Sequence, residues 1–216
     1  MINNIEWKTS NNLVEYNFAV SEMKKRVLEI KKNSAFEMVW LLEHNSIFTA
    51  GTSAKLEDLK NSKVNFQYTG RGGQWTWHGP GQRVVYLMLN LNNRLQDVKA
   101  YIYALEELII LTLKDFYIDG VRIIGQPGVW VKDNNGCDKI AALGIRISSW
   151  ITFHGISINV NPNLDEFNNI VPCGIKNSGI TSFYKLGKKI ALEELDINLK
   201  KNFNKIFGNE GLFKLK

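Results

Sequence analysis

Residues 121–160 constrain this chain more than any other stretch. Runs rich in apolar and β-branched side chains at residues 121–124, 128–132, 139–147 and 151–160 follow one another with only short polar breaks. Runs of this kind, bounded by Gly, Asn and Asp, read as strands. The break Asp133-Asn134-Asn135-Gly136 carries Asn-Gly, a pair that accepts the positive φ of a tight hairpin turn. Strands joined by a turn that short must run antiparallel. A further strand is expected at residues 83–91, a fully buried one at 35–42 and a half-buried one at 64–69. Amphipathic helices are expected at residues 14–30 and 192–207, and a long one through residue 116 that Asp97 caps. Hairpin-linked strands with helices grouped before and after them specify an α+β fold, not alternating βαβ units.

The chain has 216 residues, 44% of them hydrophobic, which suffices for one core without disulfides or metal. No repeat, low-complexity tract or linker breaks it, so residues 1–216 are read as a single domain. Two cysteines, Cys137 and Cys173, suit a reducing compartment, and the N-terminus lacks a signal-peptide pattern. The most apolar run, residues 108–113, is too short to span a bilayer. A cytoplasmic protein with no membrane partner is expected. The net charge of +6 includes +4 from residues 185–216, where eight lysines face four acids. Such a segment is either a docking surface for an acidic partner or a solvated helix face; so small an excess binds nucleic acid weakly.

The densest candidate site is Arg71-Gly72-Gly73-Gln74-Trp75-Thr76-Trp77-His78-Gly79-Pro80-Gly81-Gln82. Its glycines let backbone N–H groups approach a ligand, yet it matches neither the P-loop nor the dinucleotide fingerprint. Trp75 and Trp77 beside His78 suit an apolar tunnel with a polar mouth; a tight turn with core tryptophans is the alternative. Cys173 lies in Pro172-Cys173-Gly174, where proline fixes direction and glycine leaves room for an incoming carbonyl. A buried structural thiol fits the same local sequence. Lys139 opens a strand with one end in a pocket or in solvent. His44 and His154 read as hydrogen-bonded core histidines, and Cys137 as exposed. No Cys/His spacing resembles a zinc site, so neither metal nor cofactor is expected.

Taken together, Arg71-Gly72-Gly73-Gln74-X-Thr76-X-His78-Gly79-Pro80-Gly81-Gln82, Lys139-Ile140-X-X-Leu143-Gly144-Ile145-Arg146, Phe153-His154-Gly155, Asn159-Val160-Asn161 and Pro172-Cys173-Gly174 closely resemble the octanoyltransferases of lipoate synthesis. Leu42-Glu43-His44 and Phe48-Thr49-Ala50-Gly51 are similar to that family's N-terminal segment. The resemblance implies the catalytic domain shared with biotin protein ligases and lipoate ligases, a mixed or antiparallel sheet with flanking helices. It implies transfer of an octanoyl group from acyl carrier protein, through a cysteine thioester, to a lysine of lipoyl domains in the 2-oxoacid dehydrogenase and glycine cleavage complexes. It assigns Cys173 as nucleophile and Lys139 as the group that lowers its pKa. Substrate-binding positions map to Arg71, Gly72, Gly73, Gln74, Trp75, Thr76, Trp77 and His78, to Ala142, Leu143 and Gly144, and to Gly155, Ile156 and Ser157, with His154 in support. A monomer is expected. Two departures stand out: Ala142, where many relatives carry serine, and Leu87, where many carry proline. The competing readings are an ATP-dependent lipoate or biotin ligase of the same fold, which needs no cysteine, and a basic nucleic-acid-binding module.

Overall fold

The computed structural model describes residues 5–133, 136–171, 179–208, 211 and 213. A seven-stranded sheet runs in the order β1-β2-β6-β10-β9-β8-β7, built from β1 (Glu6–Thr9), β2 (Met38–Leu42), β6 (Gln82–Met88), β7 (Gly120–Ile123), β8 (Gln126–Asp133), β9 (Gly136–Ser148) and β10 (Ile151–Asn159). All its pairings are antiparallel except β1–β2, so the sheet is mixed. A second sheet, in the order β4-β3-β5, contains β3 (Ile47–Ala50), β4 (Phe66–Tyr68) and β5 (Trp75–His78). The β8–β9 hairpin closes on the pair Asp133–Gly136, with Gly136 at φ 144°, so the glycine ends the ladder instead of sitting inside the turn.

Helices α2 (Val98–Asp115) and α3 (Leu192–Phe207) cover one face of the large sheet. Asp97 caps α2 as its sequence requires, accepting from the N–H groups of Lys99 and Ala100, an arrangement worth about 1 kcal/mol. The α2 residues Tyr101, Leu105, Leu108, Ile109 and Leu113 repeat at helical spacing and bury against Val85, Leu87, Ile156 and Ile158. Full burial of such side chains contributes about 1.5–3 kcal/mol each. Helix α1 (Tyr16–Lys31) packs on the opposite face through Ala19, Met23, Val27 and Ile30, against Trp40, Tyr86 and Phe153. The small sheet lies over the rest of that face; its loop is pinned to β9 where Gly72 N–H donates to the Ile145 carbonyl at 2.9 Å. No helix among the described residues is long and apolar enough to cross a membrane.

Two lysines of the lysine-rich segment make contacts with the fold while staying exposed. Lys201 pairs with Asp115 at 2.9 Å, and Lys200 sits 5.4 Å from the Trp7 ring centre. Both lie on α3, on the face of the sheet turned away from α1.

Candidate active site

Between the small sheet and strands β6, β10 and β9 lies a cavity of about 380 Å³. The loop before β5 supplies Arg71, Gly72, Gly73 and Gln74, and β5 supplies Trp75, Thr76 and His78. Strand β9 supplies Lys139, Ala142, Leu143, Gly144 and Ile145; β10 supplies His154, Gly155, Ile156 and Ser157. Every substrate-binding position implied by the sequence lines this cavity except Trp77.

Trp77 requires a correction. The segment read as a loop forms strand β5, and alternate residues of a strand face opposite ways. Trp77 therefore turns into the core of the small sheet, where it packs on Phe167 and its Nε1 donates to Ser46 Oγ at 2.9 Å. Trp75 reaches the cavity wall but stacks edge-on with Phe66 and donates to the Lys55 carbonyl. The even positions, Thr76 and His78, are the side chains that β5 presents to the cavity.

Arg71, buried, ties the loop to β3: its Nη2 donates to the Thr49 carbonyl at 2.7 Å and to Thr49 Oγ1 at 2.8 Å. Gly144 lets the Arg71 side chain approach closely, since a Cβ there would lie 3.0 Å from Arg71 Cδ. At the other end of the cavity Lys139 is only 4% exposed. Its Nζ donates to the Pro127 carbonyl at 3.1 Å and sits 4.5 Å from the Trp130 ring centre. Its main chain pairs with Gly179 and Thr181, at 3.0 Å in each case. Lys139 is thus a buried side chain at the cavity, not a solvent anchor. Cys173 lies outside the described residues; the described residues on either side of it are Val171, whose N–H donates to the Asp58 carbonyl, and Gly179. Cys137, on β9, is a free thiol and half-buried, less exposed than its place after the turn suggests.

All three histidines of the chain meet in one aromatic cluster with Tyr16 and Tyr86. Burial pushes His44 down to about 4 and His154 to about 3, the latter helped by the charges of Arg71 and Arg146. His78 is held well below its ordinary value by burial, then by its neighbours His44 and Arg71. Burial raises Tyr16 and carries Tyr86 well above the phenol range. The cluster is therefore neutral at pH 7, a polar wall beside one guanidinium. His78 Nδ1 meets Gln82 Oε1 at 2.7 Å, while Gln82 Nε2 donates to Asn159 Oδ1 at 3.0 Å. That leaves His78 Nδ1 as the donor.

His154 departs from its expected part as a hydrogen-bonded core residue. It has φ 59° in the middle of β10, and its buried Nδ1 has no hydrogen-bond partner among the described residues. Thr152, Ile156 and Ile158 face α2, so regular alternation would send His154 there too. The positive φ turns its ring back to the cavity face, against Phe153 and Tyr86. Strain of this kind costs about 1–3 kcal/mol and persists where the surroundings over-determine it. Tyr16, Val84 and Tyr86 also line the cavity and were not singled out as site residues from the sequence. Only the packing of α1 and β6 against the small sheet brings them in.

A mostly apolar cavity with one buried lysine and a neutral polar wall has the character of a small-molecule site. The architecture agrees with solved structures. A bi-partite lipoate protein ligase of Thermoplasma acidophilum superposes with TM-score 0.68 at 12% identity, covering 93% of this chain and 83% of that one. The biotin protein ligase of Aquifex aeolicus in complex with biotin and ATP superposes with TM-score 0.52 at 17% identity, covering 97% and 74%. At those identities the likeness concerns the fold alone.

Sequence comparison goes further. Residues 15–204 match the lipoyl protein ligase A/B catalytic domain. The octanoyltransferase of Bartonella tribocorum is 52% identical over 214 residues, covering 94% of this chain and 87% of that protein. That of Wolbachia pipientis is 48% identical over 203 residues, covering 94% and 99%. The chain belongs to the octanoyltransferases of the lipoyl protein ligase A/B catalytic-domain family, enzymes of lipoate biosynthesis.

Proposed function

We propose that residues 1–216 act as one catalytic domain that takes an octanoyl group from acyl carrier protein and delivers it to a lysine of lipoyl domains, through a thioester on Cys173. Acceptors of this kind occur in the 2-oxoacid dehydrogenase and glycine cleavage complexes. The observation that carries the reading is the burial of Lys139 at a cavity of about 380 Å³, with its main chain bonded to Gly179 and Thr181, just after the segment that bears Cys173.

The chemistry follows from ordinary thiol reactivity. A free thiol is only a few per cent thiolate at neutral pH, and a nearby ammonium favours the thiolate. The Cys173 thiolate attacks the donor thioester carbonyl; its oxygen takes the π electrons, and collapse expels the carrier's thiolate. One thioester replaces another, so the exchange needs no ATP. The acceptor amine then attacks the acyl-enzyme carbonyl; collapse breaks the C–S bond and returns the Cys173 thiolate, and with the amine's proton passed to a neutral Lys139 the product is an amide, the more stable species. Lys139 supports the thiolate while charged and receives the acceptor's proton while neutral. The walls from Gly72, Ala142, Leu143 and Gly144 hold the chain, at about 0.8 kcal/mol per buried methylene.

Intact-mass spectrometry after incubation with octanoyl-acyl carrier protein tests this directly. The unaltered chain and Cys137→Ala are expected to gain one octanoyl group, and Cys173→Ala none. An adduct that persists on Cys173→Ala removes the nucleophile assignment. Adenylate formation from ATP and free octanoate, with no acyl-enzyme, makes the protein a ligase instead.

A further inference from the structure

Thr76, Lys139, Ala142 and Ser157 line both the large cavity and a small side chamber next to it. The chamber measures about 10 Å³, enough for about one water-sized occupant. Gln82 and Asn159 form part of its far wall. Gln82 Nε2 donates to Asn159 Oδ1 at 3.0 Å and to the Trp77 carbonyl at 3.3 Å, which uses both its N–H groups, and Asn159 Nδ2 gives one of its two to the Thr181 carbonyl at 3.0 Å. A polar occupant has further hydrogen bonds to draw on elsewhere in the chamber.

Ser157 is placed to give one. In register it stands between Val84 on β6 and Ala142 on β9. Directly opposed residues share a face of the sheet, with Cβ atoms about 4.5–5.5 Å apart. Of these three side chains only Ser157 carries a polar atom. The residue is buried, yet its hydroxyl has no partner among the described residues and is not sealed in by protein. It opens on the neck where chamber, cavity and Lys139 meet. A hydroxyl absent from Ala142 is thus present one strand over.

We propose that the Ser157 hydroxyl hydrogen-bonds the carbonyl oxygen of the acyl group, seated in the side chamber, as the thiolate attacks, and that positions 142 and 157 form one hydroxyl site that either strand can fill. The inference rests on the transfer reading above. When the carbonyl π pair moves onto oxygen, the hydroxyl stabilises the charge without giving up its proton; expulsion of the donor thiolate restores the carbonyl. A donor aimed at charge that develops during attack raises the rate more than it raises binding.

The test follows acyl-enzyme formation by intact mass with octanoyl-acyl carrier protein for the unaltered chain, Ser157→Ala and the double variant Ala142→Ser/Ser157→Ala. Ser157→Ala should slow acylation about 10- to 100-fold, toward the lower end of losses on removing one oxyanion donor. Its thermal midpoint and half-saturating donor concentration should stay close to those of the unaltered chain. The double variant should recover to within about threefold of the unaltered rate, a gain that a merely structural role would not produce. A normal rate in Ser157→Ala overturns the proposal, as does a double variant as slow as the single one. If the unaltered chain forms no acyl-enzyme, the transfer reading fails and this inference falls with it; if only the variants misbehave, the transfer reading stands.

Discussion

His44 Nε2 lies 2.6 Å from the Tyr86 hydroxyl, and His44 Nδ1 lies 2.7 Å from the Val14 carbonyl oxygen. A carbonyl only accepts, so Nδ1 carries the proton and Nε2 accepts from Tyr86. One phenol thus fixes the tautomer of a fully buried imidazole and ties β6 to the chain entering α1. Tyr86→Phe leaves Nε2 enclosed without a donor, at a cost of about 1–3 kcal/mol. Urea denaturation should show that loss with an unchanged slope. A loss below about 0.5 kcal/mol would mean that Tyr86 does not hold His44.

The same cluster sets the response to acid. His44, His78 and His154 bind protons less readily folded than unfolded, where they titrate near 6.5. The stability they contribute is complete above about pH 6.5 and is lost as pH falls toward their folded values, about 4 for His44 and about 3 for His154. Asp196, raised to about 6 by burial despite Arg83, works the other way, because its folded form takes a proton first. Three protons against one leave a net two, so near pH 5 stability should fall by roughly 3 kcal/mol per pH unit. The thermal midpoint measured from pH 8 to 4.5 should drop steadily below about pH 6.5. A flat profile would mean that the three imidazoles are not enclosed as a neutral group.

Much of the scaffold was legible because local chemistry and tertiary packing agree. Asp97 caps α2 where its side chain should, and α3 runs Leu192–Phe207 as its apolar spacing requires. The strand reading failed where a short buried segment looks like a loop. Trp75–His78 is four residues long, buried on both faces and next to glycines, so no alternation shows. Without the strand, nothing separated Trp77, which turns into the core of the small sheet, from Trp75, Thr76 and His78, which line the cavity. Edge strand β1 is equally short and half-exposed. Within the site, motif order foretold which segments converge, since the loop from Arg71 and strands β9 and β10 do line one cavity. Register was out of reach: that Ser157 faces Ala142 depends on the exact β9–β10 pairing. So was the turned ring of His154, because strand parity points it the wrong way.

That turn of the backbone demands the residue after it. A Cβ on Gly155 would lie 2.2 Å from the Val85 carbonyl oxygen and 2.8 Å from Leu87 Cδ1. The first of these atoms is main chain in a paired strand and has no room to yield. Gly155→Ala is expected to destabilise the protein by more than about 3 kcal/mol, above the usual range for single substitutions. The variant should be insoluble, or lose at least about 6 °C in thermal midpoint. Wild-type stability would show that β10 relaxes without strain.

At Lys139 the two proposed duties, supporting the thiolate and taking a proton, can be separated. Its ammonium sits between the Pro127 carbonyl and the Trp130 ring, so a replacement of similar length should occupy the same channel. Lys139→Met removes charge and proton together; acyl-enzyme formation at pH 7 should fall about 100-fold, and its pH dependence should move up by about one unit. Lys139→Arg keeps a permanent cation that cannot take a proton in the working pH range. It should form the acyl-enzyme at a rate between those of the methionine variant and the unaltered protein, then pass the octanoyl group to the acceptor amine slowly, so that the thioester accumulates. Thermal midpoints taken alongside show whether the bulkier guanidinium is tolerated. If both variants acylate equally slowly and the arginine form discharges its thioester at the normal rate, the charge of Lys139 is irrelevant to the thiolate and its proton to the transfer.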